Sequence, residues 1–83
     1  MNSENRIAMI AIVVENIEKA VEINALLHEY SPYIIGRMGV PYPAKGVSLI
    51  SVALDAPGDA ISALTGKIGR IDGVTVKAAY AKV

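Results

Sequence analysis

Eighty-three residues, 53% of them apolar, with no net charge, no cysteine and no tryptophan, describe one small domain over residues 1–83 with more apolar surface than it can hide alone. Chains of this order bury only about 60% of the surface their unfolded form exposes, so the excess needs a destination. Disorder is excluded by the hydrophobicity, a disulfide framework or thiolate metal site by the absence of cysteine, and a membrane span by an apolar run that reaches only from Ile7 to Val14. No secretory pattern precedes that run, where Arg6 is the sole cation, so a cytoplasmic location is expected.

Arg6 to Val14 is a consecutive, largely β-branched apolar run, the pattern of a strand covered on both faces. Asn16 can cap a helix from Ile17 to about Tyr30, with Glu18, Glu22 and Glu29 on one arc and Ala20, Ile23, Leu26, Leu27 and Tyr30 on the other. Ser31-Pro32 ends it, and a short strand from Tyr33 to Met38 follows. Two glycines and two prolines between Gly39 and Gly46 read as a loop. Val47 to Leu54 is the third strand, with Ile50, Val52 and Leu54 facing one way and Val47, Leu49, Ser51 and Ala53 the other.

Asp55 is placed to cap a second helix, with Pro57 in its first turn and Ile61, Leu64, Ile68 and Ile71 as its buried stripe. That helix ends near Gly69 or Arg70, Asp72-Gly73 turns the chain, and Val74 to Tyr80 is the last strand. The order β-α-β-β-α-β predicts an α+β, ferredoxin-like sandwich: a four-stranded antiparallel sheet, strands one and three central, both helices on one face. Both alternate sets of strand one are apolar, so the uncovered face carries a patch that calls for self-association through the open face or adjoining strand edges, as dimer or tetramer.

The residues exclude several functions this fold supports elsewhere. RNA-binding versions stack bases on aromatics of strands one and three, and neither segment has one; the neutral chain offers phosphates no basic footprint, so no direct nucleic-acid binding is expected. Metal carriers need Cys-x-x-Cys after strand one, where Glu15-Asn16 stands. His28 reads as a boundary histidine, and the three glutamates as a solvated helix face, so no metal site, cofactor or catalytic residue is expected.

Effector-binding regulatory versions need only apolar strands and a few loop polar groups, and these are present. Arg37 reads either as an edge-strand charge that blunts unwanted pairing or as a guanidinium fork for a carboxylate, beside the backbone access of Gly39. Tyr42, between Pro41 and Pro43, is held at low entropic cost as a contact residue, or else closes over the sheet edge. Gly66 costs the second helix about 1 kcal/mol relative to alanine, either as a tolerated defect or to admit a close neighbour flanked by Thr65 and Lys67.

Two segments carry a resemblance, RMGVPY at Arg37 to Tyr42 and ALTGKIGRIDGVTVK at Ala63 to Lys77. They resemble the iron-only hydrogenase system regulator family, short domains similar to ACT domains and to the C-terminal domain of the nickel-responsive repressor. The resemblance spans nearly the whole chain and implies an ACT-like oligomer associated with hydrogenase maturation in anaerobes. It favours a non-enzymatic regulatory or sensor module that binds a small effector or a protein partner at a subunit interface through Arg37, Gly39, Tyr42, Thr65, Gly66 and Lys67. An alternative is a scaffold that assembles with hydrogenase maturation proteins and takes no small ligand. A metal-responsive transcriptional regulator is a third reading. The chain departs from that repressor in having only His28 as an imidazole donor and too few residues before strand one for a DNA-binding ribbon.

Overall fold

A computed structural model describes residues 5–82. Strand β1 (Asn5–Val14) lies between β3 (Val47–Pro57) and β4 (Val74–Tyr80), and β2 (Ile34–Tyr42) pairs with the other edge of β3. All three pairings are antiparallel, in the order β2-β3-β1-β4, with β1 and β3 central as the element order predicts. Helices α1 (Ala20–Glu29) and α2 (Gly58–Gly69) cover one sheet face, giving the ferredoxin-like α+β architecture.

The sheet also settles which set of β1 faces inward. Ala8, Ile10, Ile12 and Val14 pack with Ile50, Val52, Leu54 and Ala56 of β3 and with Ile23, Leu27, Ile61, Leu64 and Ile68 of the helices. This core is wholly apolar among the described residues, so its cohesion comes from burial and close packing alone. Leu64, Ile68 and Ile61 hold their expected stripe on α2, and Ile71 packs against its margin.

Four local expectations are corrected. The first helix begins as a 3-10 turn over Ile17–Lys19, capped by Asn16, whose side-chain oxygen accepts from the Glu18 amide at 3.1 Å; the α-helix starts only at Ala20. Tyr33 closes a 3-10 turn, Ser31–Tyr33, so β2 starts at Ile34 rather than at Tyr33.

The supposed loop from Gly39 is mostly strand. β2 runs on to Tyr42, with Val40 opposite Leu49 and Pro41 opposite Ser48, and only Pro43–Lys45 and Gly46 make the turn. Proline is tolerated because an edge strand can direct its missing donor outward, where no ladder bond is lost.

Asp55, finally, is not a helix cap. Strand β3 continues to Pro57, which takes the N-cap position with no side-chain cap bond. Asp55 pairs with Ile7 and Ala56 with Arg6, and Ala56 is buried in the core, so extending the ladder outcompetes one exposed cap. The last turn is as expected: Gly73 has φ +77°, and its carbonyl accepts from the Glu15 amide at 2.8 Å, tying the end of β1 to the start of β4.

Because the core has no polar element to fall back on, Leu64→Ala should lower unfolding free energy by about 2–5 kcal/mol, read by chemical denaturation.

Candidate functional site

The face away from the helices is built of cross-strand rows fixed by the register. Gly36, Ala53, Met9 and Ala79 form one row, Met38, Ser51, Ala11 and Lys77 the next, and Val40, Leu49, Val13 and Thr75 the third. Met9, Met38 and Leu49 are 51%, 61% and 44% exposed. The first row is made largely of small residues and leaves two shallow hollows. One, of about 330 Å³, is lined by Met9, Gly36, Met38, Ser51 and Ala53 with the flank of Arg37. The other, of about 260 Å³, lies across Met9 against Ile7, Ala53 and Ala79. At the far end of the face the third row carries the branched side chains Val40, Leu49 and Val13, and Tyr42 lies beside it, 50% exposed.

The six residues singled out from the sequence are distributed over different parts of the surface. Strand alternation sends Arg37 and Gly39 to the helix side of β2 and Tyr42 to the open side, because the segment is strand and not loop. Arg37 reaches α1, where a terminal guanidinium nitrogen donates to Asn24 Oδ1 at 2.7 Å. Both Gly39 and Gly66 have open space where a Cβ would stand, so within the chain neither serves a close approach.

On α2, the Thr65 hydroxyl donates to the Ser62 carbonyl at 3.1 Å. Lys67 instead joins the two helices: its Nζ is 3.7 Å from a Glu29 carboxylate oxygen and 5.2 Å from the centre of the Tyr30 ring. Tyr30, first as hydrogen-bond partner and then through charge, holds the Lys67 ammonium above its ordinary value, with Glu29 adding to the effect. Glu29 is thus less free than a purely solvated acidic face implies.

His28 is exposed, and among the described residues no group of three or more His, Asp or Glu side chains could hold a metal ion. Nor is any described helix long and apolar enough to cross a membrane.

Sequence reasoning passed over the hollow at Gly36, Met38, Ser51 and Ala53. Extending the strand alternation of β2 through Pro41 would have set Met38 and Val40 beside the open-face residues of β3. No comparable pattern announces Asn24 as the partner of Arg37, since that contact depends on how α1 lies across the sheet.

Two measurements check these contacts. A double-mutant cycle on Arg37→Ala and Asn24→Ala should return a coupling of about 0.5–1 kcal/mol, as for one solvent-exposed hydrogen bond. Lys67 has a raised folded pKa, so its stabilising contribution is complete below the ordinary lysine value of 10.5 and is lost only as pH rises through the raised one. The melting-temperature difference between wild type and Lys67→Met should therefore stay constant from about pH 6 to 9.

The family model for TM1266-like proteins, described as "Iron-only hydrogenase system regulator, putative", matches residues 6–78. Among solved structures, the uncharacterized protein TM1266 from Thermotoga maritima is 41% identical, with a TM-score of 0.90 over 95% of this chain and 100% of that one. The divalent ion tolerance protein CutA1 from Ehrlichia chaffeensis shares the fold at 16% identity and a TM-score of 0.52, over 98% of this chain and 86% of that one. No curated protein matches. A family match running from the first strand into the last, together with a relative this similar over nearly the whole chain, shows that the protein belongs to the TM1266-like family.

Proposed function

We propose that the protein is a non-enzymatic regulatory module of the iron-only hydrogenase system that acts by self-assembly and binding. It takes a small effector or a protein partner where subunits meet, beside β2. The observation that carries this reading is the open sheet face, three cross-strand rows of mainly apolar residues with no described element over them. Monomers rarely leave a contiguous apolar patch of this extent in water.

Arg37 supplies the polar contact on the outer strand β2, on its helix side. One of its five donors meets Asn24 while the side chain stays exposed, so the fork is held by α1 yet can engage a carboxylate from outside. Gly39 and Tyr42 on the same strand, and Thr65, Gly66 and Lys67 on α2, complete the proposed contact set. The bare backbone at Gly66, open to its surroundings, is where a neighbour can approach α2 most closely.

A thermal-shift screen of amino acids, nucleotides and metal ions tests the reading. A ligand that raises the melting temperature by several degrees in wild type and does nothing for Arg37→Ala supports an effector site at β2. A flat screen beside reproducible co-purification of hydrogenase maturation proteins overturns the effector site and leaves a scaffold.

A further inference from the structure

We infer that the occupant of the open sheet face is a second copy of this chain, stacked face to face about a two-fold axis that runs across the strands, so that the branched row at one end of each copy fills the hollow left by small residues at the other end of its partner. The inference rests on the proposed self-assembly and specifies its geometry.

The rows themselves select that axis. Turning one copy end over end about the middle row puts Val40 over the partner copy's Gly36 position and Leu49 over its Ala53 position, while Val13 meets the Met9 position. Branched side chains thereby enter the hollow of about 330 Å³ that the small residues leave. An axis along the strands does the reverse, setting the Val40, Leu49 and Val13 row against its own counterpart and facing hollow with hollow. In the favoured arrangement the middle row lies on the axis, where Ser51 and Ala11 are small enough for close approach, and the two exposed Met38 side chains are flexible enough to fit around each other.

The area is consistent with a second copy, and the one like-charge contact falls at the rim. Four strands at about 4.8 Å and about eight residues at about 3.3 Å give roughly 500 Å² in plan. Two copies would hide roughly 1,000 Å² before side-chain relief is added, which reaches the lower bound for a specific interface. The one charged residue in the three rows, Lys77, lies on the outermost strand β4; as a member of the middle row it meets its own counterpart near the axis, and at that rim the two stems can carry the like-charged ammonium groups apart into water. A closed two-fold pair also uses the same patch on both copies, so nothing apolar is left to propagate a filament.

The test exploits the contact between Leu49 of one copy and Ala53 of the other, which the two-fold axis makes twice. Sedimentation equilibrium of wild type, Ala53→Leu, Leu49→Ala and the double variant compares their dimer dissociation constants, with circular dichroism confirming that each is folded. Both positions lie away from the helix-covered core, so the variants keep it intact. Each single change should weaken the dimer at least about tenfold, by overfilling the hollow or emptying it, and the swap should return it to within about threefold of wild type. A wild type that stays monomeric at about 100 µM overturns self-assembly itself. A wild-type dimer that ignores both single changes, or that the swap fails to restore, overturns this stacking and leaves self-assembly standing by another surface.

Discussion

Two helices can cover only one side of a four-stranded sheet, and in this protein the central strand is apolar on both sides. Everything else follows from that mismatch. Ala8, Ile10, Ile12 and Val14 find their partners under α1 and α2, whereas Ile7, Met9, Ala11 and Val13, also apolar, face away with no cover among the described residues. The core is sealed without a single buried polar or charged side chain among the described residues. The proposed function is carried by surfaces: the open face, the outer strand β2 and the exposed side of α2.

The pattern of apolar residues made the element order, the central pair of strands and the stripe of α2 legible before any coordinates. Long segments with one clear period determine their own structure, as Val47 to Leu54 and Val74 to Tyr80 do. Strand β1 was ambiguous for the opposite reason, since a uniformly apolar run carries no information about which side is inside; only the helices decide. The misread places were those where local chemistry and tertiary pairing compete. The glycines and prolines from Gly39 to Gly46 look like a loop in isolation, yet the edge strand accepts Gly39 and Pro41 and leaves only Pro43 to Gly46 to the turn. Asp55 looks like a helix cap, yet the β1–β3 ladder holds it in extended backbone.

The candidate site shows the same division. Arg37 and Tyr42 stand out by residue type, and both are exposed on β2, but the alternation of a strand turns them to opposite sides. Lys67 stands out for its charge and turns out to hold α2 to the end of α1 through Glu29 and Tyr30. The small residues that shape the hollow, Gly36, Ser51 and Ala53, carry no chemical signature and become visible only when three strands are laid side by side.

The sheet order also has a consequence for the timing of folding. β1 precedes the other three strands in the chain and is the most hydrophobic of them, yet its partners are β3 and β4, the latter completed only at Tyr80. Pairings this distant in sequence close slowly, because the intervening chain must be ordered before any contact compensates. During synthesis, therefore, β1 has no strand partner until β3 is made through Pro57 and lacks its second until β4 is complete at Tyr80, and that interval is when it is most exposed to aggregation or chaperone capture.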